Sequence, residues 1–205
     1  MKTGGIILGG GESRRMGRPK AWLPVGSETM LSRVVGIVRR VVEPVVVVGA
    51  PEQQLPALRS DVLVVRDAVA GRGPLEGLAA GLRALPVEVE AAYISACDVP
   101  LLREEFVRYV VASLGSADVA VPYTDGHYHP LAAVYRTRVA DQVDRLLAED
   151  RLRPFFLFEA VTTRTLTADA LRRVDPELKS LRNLNTPEDY EAALRELGTQ
   201  SGNEE

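Results

Sequence analysis

Apolar residues fall along this chain in two alternating rhythms. Short unbroken runs occupy residues 6–8, 45–48, 62–65, 92–95, 119–122 and 131–135, and several are rich in valine and isoleucine. Such runs suit buried strands, and a continuous β-branched run such as 45–48 suits a parallel strand covered on both faces. Between them lie segments with apolar residues three and four apart. In 29–41 these are Met30, Leu31, Val34, Ile37, Val38 and Val41, and in 75–85 they are Leu75, Leu78, Ala79 and Leu82. That spacing predicts amphipathic helices. Helices are also predicted over 104–114, 138–149 and 187–197. The last has Thr186 as N-cap, Pro187 at the first helical position and Asp189 in the first turn.

Strands alternating with helices predict an α/β fold: a three-layer α/β/α sandwich around a mostly parallel, Rossmann-like sheet. Such sheets bind ligands beyond the carboxyl ends of their strands. A length of 205 residues suits one domain, expected over 1–198, with residues 199–205 a polar, disordered tail. Composition is that of a globular protein, 46% hydrophobic and 26% charged with net charge −3. No basic stripe points to nucleic acid, and no apolar run approaches membrane-spanning length. A strand begins almost at the first residue, leaving no room for a signal peptide, and one cysteine forms no internal disulfide. A cytoplasmic enzyme is the expectation.

The chemistry concentrates first in residues 4–20. The run 6–8 ends in Gly9, Gly10 and Gly11, and Arg14, Arg15, Arg18 and Lys20 follow. Three successive glycines cost backbone entropy and build no core, but they let a bulky ligand approach backbone N–H groups. Cations just beyond suit a polyphosphate. The spacing fits neither the dinucleotide fingerprint, which would need glycine at Arg14, nor the Walker A loop. The reading is a nucleoside triphosphate site at the end of the first strand.

Two further clusters stand at strand ends. Asp98, in Ser95-Ala96-Cys97-Asp98-Val99-Pro100, follows a buried strand, and a carboxylate there suits Mg²⁺, which takes one or two carboxylates and shares phosphate oxygens. A helix-capping role is the alternative. Cys97 lacks an activating base and reads as a small buried thiol. Gly71, Gly73 and Pro74 form a loop before a helix whose N-terminus favours an anion. Arg72 reads equally well as a structural connector. Asp125-Gly126 marks a tight turn between two strands. His127 and His129 beyond it lack the further ligands a zinc site needs. Trp22 reads as packing, and Arg151 and Arg153 as an exposed pair.

The loop Leu8-Gly9-Gly10-Gly11-Glu12-Ser13-Arg14-Arg15-Met16-Gly17, with Lys20 beyond, resembles the signature of the molybdenum cofactor guanylyltransferase (MobA) family of nucleotidyltransferases. The family usually has alanine at Gly9. The resemblance extends over residues 5 to 193 through Asp98 with its Cys-Asp-x-Pro setting, Gly73-Pro74-Leu75-x-Gly77, His129-Pro130-Leu131 and Asn183-x-Asn185-Thr186-Pro187-Glu188-Asp189. It implies transfer of GMP from GTP to the terminal phosphate of molybdopterin, releasing pyrophosphate. It implies that Leu8, Gly9, Gly10, Gly11, Lys20, Asp67, Gly73, Pro74 and Asp98 contact the nucleotide, that Arg15, Lys20 and Asp98 are catalytic, and that Asp98 holds Mg²⁺. His129, Asn183 and Asn185 are implied on the acceptor side, though a histidine making only local hydrogen bonds explains His129 nearly as well.

The partners so implied are GTP and the molybdopterin cofactor, with transient contact to proteins that deliver or receive the cofactor. A phosphate nucleophile needs no strong base, which agrees with the lack of a Ser/His/Asp set. Gly10 favours a purine over CTP, because cytidylyl relatives usually read Leu-Ala-Ala-Gly. Pro19 argues the other way. Cytidylyl or sugar-phosphate transfer is therefore the alternative, and a silent nucleotide-binding protein, which would have lost Lys20 or Asp98, a more distant one. The family's nucleotide-contacting asparagine falls near Val48 or Gly49, where this chain has none.

Overall fold

A computed structural model describes residues 1–10, 18–67 and 71–201. In chain order its strands are β1 (Thr3–Leu8), β2 (Pro24–Val25), β3 (Glu28–Thr29), β4 (Val45–Gly49), β5 (Leu63–Arg66), β6 (Ala91–Ala96), β7 (Val119–Thr124), β8 (His127–Tyr128), β9 (Ala132–Arg136) and β10 (Thr163–Thr167). The helices are α1 (Met30–Arg39), α2 (Pro74–Ala84), α3 (Glu104–Ala112), α4 (Ala140–Ala148), α5 (Phe155–Ala160), α6 (Ala168–Leu171) and α7 (Pro187–Ser201).

The main sheet runs β10-β7-β9-β6-β1-β4-β5, with β8 added to β7. β6, β1, β4 and β5 are mutually parallel, and β9 runs antiparallel between β6 and β7. Leu8 pairs with Val48 on one side and Ala96 on the other, so β1, β4 and β6 end level with one another. The loops that follow these strands therefore share one edge of the sheet.

Alternation along each strand divides the core. Ile7, Val45, Val47 and Tyr93 face α1 and α3, while Ile6, Leu8, Val46, Val48 and Ile94 face α2 and α4. The α/β/α layering follows directly from this period of two. Gly77 and Gly81, one turn apart on α2, set how closely that helix lies on β1. A Cβ at Gly81 would stand 2.5 Å from Ile6, and one at Gly77 3.0 Å from Leu8. A third, smaller cluster joins Leu23, Val25 and Met30 to Leu101, Leu184 and Ala193. It brings the segment after Lys20 against the segment after Asn183, although they are far apart in sequence.

The expected strands and long helices are present, with ends shifted by a residue or two. α7 continues through Ser201, beyond its expected end at residue 197. The tail residues 202–205 lie outside the described residues. Elements without an apolar rhythm were not expected. β10 buries only Leu166, α5 is six residues long, and β2–β3 is a two-residue ribbon. No helix among the described residues is long and apolar enough to cross a membrane.

Candidate active site

Beyond the level ends of β1, β4 and β6 lies a cleft of about 1020 Å³, with Leu8, Gly9, Gly10, Lys20, Asp67, Asp98 and Asn183 in its walls. Its floor is backbone. Gly9 N donates to Val48 O at 2.8 Å and Cys97 N to Leu8 O at 3.1 Å. Gln53 ties the next loop in: its Nε2 donates to Gly9 O at 2.7 Å, and its Oε1 accepts from Ala50 N at 3.0 Å. A Cβ at Gly10 would meet no protein atom closer than Ala50 N at 3.6 Å. Among the described residues, packing alone does not require a glycine there. Gly11 and Arg15 lie outside the described residues.

On one side of the cleft is a charged cluster. Lys20 opens a single 3-10 turn (Lys20–Trp22), and its Nζ donates to Asp98 Oδ2 at 2.6 Å. Asp98 is only 8% exposed. Its other oxygen, Oδ1, accepts from Asn183 Nδ2 at 2.8 Å, and its main-chain carbonyl accepts from Leu184 N at 3.0 Å. Asn185 Oδ1 accepts from Lys20 at 3.4 Å. Charge-assisted bonds of this length are strong, and the burial that strengthens them makes removing one partner costly. Four of the expected residues thus meet here, from positions 20 to 185. Asn183 and Asn185 engage the Lys20–Asp98 pair directly, an arrangement their expected place on the acceptor side did not suggest. Thr186 and Asp189 cap α7 as expected: Asp189 Oδ2 accepts from Asn185 N and Thr186 N at 3.0 and 2.9 Å, and Asp189 N donates to Thr186 Oγ1 at 3.2 Å.

No group of three or more acidic, histidine or cysteine side chains able to hold a metal occurs among the described residues. Asp98 nevertheless fits a divalent cation that arrives on a nucleotide, because Mg²⁺ needs only one or two protein carboxylates when phosphates and water complete its shell.

The opposite side is acidic and poor in donors. Asp67 follows β5, held by Asp67 N to Gly49 O at 2.9 Å. Its Oδ1 is buried without a hydrogen-bond partner among the described residues, beside Gly77, while its Oδ2 faces Gly10. Glu76, in the first turn of α2 and 6% exposed, also has a buried oxygen without a hydrogen bond. Burial, and then the neighbouring Glu76, push the Asp67 carboxyl above its ordinary range. Arg72 stands 3.5 Å from Glu76 and donates to Leu147 O at 2.6 Å and Asp150 at 3.3 Å. It ties α2 to α4, which is its structural reading. Gly73 has φ +80° and ψ −172°, a conformation that only glycine adopts freely, and it starts α2 with Pro74 at the first position.

His129 stands apart from this constellation. Its Nε2 shares a hydrogen bond with Thr124 Oγ1 at 2.8 Å, and burial holds its pKa below the ordinary value. That is the local role weighed against an acceptor contact. The Asp125-Gly126 turn is present, with both residues at positive φ, and joins β7 to β8.

The family model that describes the MobA-like NTP transferase domain matches residues 5–165. The chain belongs to the MobA-like NTP transferase family. A Mycobacterium avium protein named "Probable molybdenum cofactor guanylyltransferase" is 40% identical over 197 residues, covering 94% of this chain and 95% of its own. A Mycobacterium tuberculosis protein of the same name is 40% identical over 196 residues, covering 93% and 92%. The crystal structure of molybdopterin-guanine dinucleotide biosynthesis protein A from Archaeoglobus fulgidus superposes with a TM-score of 0.81 at 25% identity, covering 97% of this chain and all of the other.

Within this MobA-like transferase, Gln53 was unreadable from spacing. Gln53 carries an amide into the cleft where the family's asparagine is missing. Its only sequence signal was a Gln-Gln pair shortly after a strand. Arg18 and Leu131 also line the cleft. Trp22 departs from its expected packing role: it is 45% exposed, and its Nε1 donates to Gln54 O at 2.9 Å. Cys97 is buried, and burial followed by the Asp98 charge pushes its thiol up to about 12, which excludes a thiolate nucleophile.

Proposed function

We propose that this cleft transfers GMP from GTP to the terminal phosphate of the molybdopterin cofactor, releasing pyrophosphate. The observation that carries the reading is the Lys20–Asp98–Asn183 cluster facing a glycine floor, with no general base between them among the described residues. The nucleophile is a phosphate monoester, largely dianionic near neutral pH, so it attacks the α-phosphorus without surrendering a proton. What the protein must supply is alignment and cancellation of charge.

Leu8, Gly9 and Gly10 present backbone to the base and ribose, and Gly73 and Pro74 border the same space at the start of α2. Asp67 accepts a hydrogen bond from the nucleotide through Oδ2, the oxygen that faces Gly10. Lys20 meets the phosphates, with Arg15 assigned the same task. Asp98 would hold Mg²⁺ together with phosphate oxygens, and the ion would offset the charge that develops on the departing pyrophosphate. Asn183 orients the Asp98 carboxylate, and Asn185 steadies Lys20. The relatives named as guanylyltransferases support guanine as the base.

A thermal-shift series with GTP, CTP, ATP and UTP, each with Mg²⁺, tests the nucleotide. GTP is expected to give the largest shift, about 2.7 kcal/mol of added stability at a hundred times its Kd. A larger shift with CTP would replace the guanylyl reading by the cytidylyl one.

A further inference from the structure

Among the described residues, two exposed aromatic rings stand together beside the cleft. Tyr123, at the end of β7, is 38% exposed, and Phe155, at the start of α5, is 48% exposed. Tyr128 lies between them, its ring centroid 4.8 Å from that of Tyr123 and 6.4 Å from that of Phe155. Phe158 supports Tyr128 from below at 5.1 Å. Trp22 is also exposed, but it sits by Gln54 in the turn that starts at Lys20 and makes no ring contact with this group.

Three connections join these rings to the cleft. Tyr128 and the cleft-lining Leu131 pack against the same core. Leu131 O accepts from Ala96 N at 3.3 Å, two residues before Asp98. On the other flank, Leu152 O lies 3.8 Å from where a Cβ on the cleft-lining Gly73 would stand, which brings the segment leading to Phe155 to the cleft edge. β7 is two strands from β6 in the sheet, and two strand spacings amount to about 10 Å. The backbone of β7 therefore runs about that far across the sheet from β6, whose end leads to Asp98.

We infer that Tyr123, Tyr128 and Phe155 form a stacking shelf for the planar heterocycle of the acceptor. The inference rests on the cofactor-acceptor reading above. An acceptor whose phosphate reacts beside Asp98 must place the rest of its bulk away from the nucleotide, and the shelf lies in that direction. Molybdopterin carries its phosphate on a methylene at one end of a fused ring system and its pterin at the other, so a surface of exposed rings matches the part farthest from the reaction. Aromatic faces receive flat heterocycles by stacking, which is effective beside water and asks for no fixed hydrogen-bond pattern. Neither Asn183 nor Asn185 supplies such a surface, because both are engaged with Lys20 and Asp98.

The test uses 6-hydroxymethylpterin monophosphate as a fluorescent probe, titrated into the whole protein in the presence of GTP. Wild type is compared with Tyr123→Phe, Phe155→Ala and the Tyr123→Ala/Phe155→Ala double variant. Melting temperature, GTP affinity and sedimentation are recorded for each. The double variant is expected to bind the probe at least tenfold more weakly and Phe155→Ala severalfold more weakly. Tyr123→Phe, which keeps the ring, should stay within twofold, and GTP affinity should be unchanged throughout. Wild-type probe affinity in a folded double variant would overturn the shelf while leaving the acceptor reading intact. A wild-type protein that binds GTP but neither the probe nor molybdopterin would overturn both. A change of sedimenting species in the double variant, with probe binding retained, would make the rings a protein interface and overturn the ligand assignment.

Discussion

Two aspartates face the same cleft under opposite conditions. Asp98 has both carboxylate oxygens engaged, one by Lys20 and one by Asn183. Asp67 has a buried oxygen with no donor among the described residues, and the neighbouring Glu76 carboxylate adds to the effect of burial in disfavouring its charge. A buried carboxylate with partners is stabilised, and one without them is destabilised, by an amount that depends on what the ligand later provides. The contrast separates two tasks. Around Asp98 the protein has assembled a charge-balanced unit that can exchange one cation for another. Around Asp67 it has left acceptors waiting for the N–H or O–H groups of a nucleotide. One side suits chemistry at phosphorus, and the other suits recognition.

The largest effect is expected on the Asp98 side. Lys20→Ala removes a cation from the reacting phosphates, and turnover should fall by roughly a hundredfold to a thousandfold, the range seen when one transition-state donor is deleted. Stability should fall as well, because the nearly buried Asp98 carboxylate then keeps only its bond from Asn183 among the described residues, so rates are compared at a temperature where the variant is folded. Steady-state rates and melting curves of the same preparation check this. Near-normal turnover would remove Lys20 from the mechanism.

A smaller and two-signed effect is expected on the other side. Asp67→Asn keeps the shape but removes a half-buried charge, one of whose oxygens lacks a donor among the described residues. The apo protein should melt at a higher temperature, while GTP binds about tenfold more weakly, in line with the loss of a charge-assisted hydrogen bond. The pH dependence follows from the sign of the shift. The folded-state pKa of Asp67 is raised above its unfolded value, so the folded protein holds more protons in the interval between the two. The destabilisation is fully present above the raised pKa and is relieved as pH falls towards the unfolded value near 3.9. The melting-temperature gain of Asp67→Asn over wild type should therefore shrink as pH is lowered. A gain that does not vary with pH would detach it from Asp67 ionisation.

The mildest variant is Glu76→Gln. Burial is the main cause of the Asp67 shift and Glu76 the lesser one. GTP affinity should fall as Asp67 takes up a proton, and the midpoint of that fall should move modestly to lower pH when the neighbouring charge is removed. Isothermal titration of GTP at several pH values reads it. An unmoved midpoint would mean that Glu76 acts only through Arg72.

Much of the fold could be read from the chain because its strands and long helices carry strong, distinct periods. Val45 to Gly49 is buried throughout, and α1 buries six residues of one face. β10 and α5 were not legible, since one buries a single leucine and the other spans little more than a turn. In the site, Lys20, Asp67 and Asp98 stand in motifs that follow strand ends, so their convergence follows from the level ends of β1, β4, β5 and β6. Gln53 was not legible, because its role depends on a loop folding back to Gly9 O, a tertiary event without local pattern. The partners of Asn183 and Asn185 were hidden for the same reason: the small cluster around Leu23, Met30 and Leu184 draws their segment to the one after Lys20.

The central claim is that Asp98 serves the transfer of GMP through its charge rather than through its shape. The direct measurement is pyrophosphate release from GTP in the presence of molybdopterin, followed against Mg²⁺ concentration for wild type and Asp98→Asn. The amide is nearly isosteric and retains an acceptor for Lys20, but it no longer attracts a hard dication. Wild type should show saturable Mg²⁺ dependence, and Asp98→Asn should lose Mg²⁺-dependent release while still binding GTP in the absence of metal. A variant with the wild-type rate and metal dependence would contradict the account.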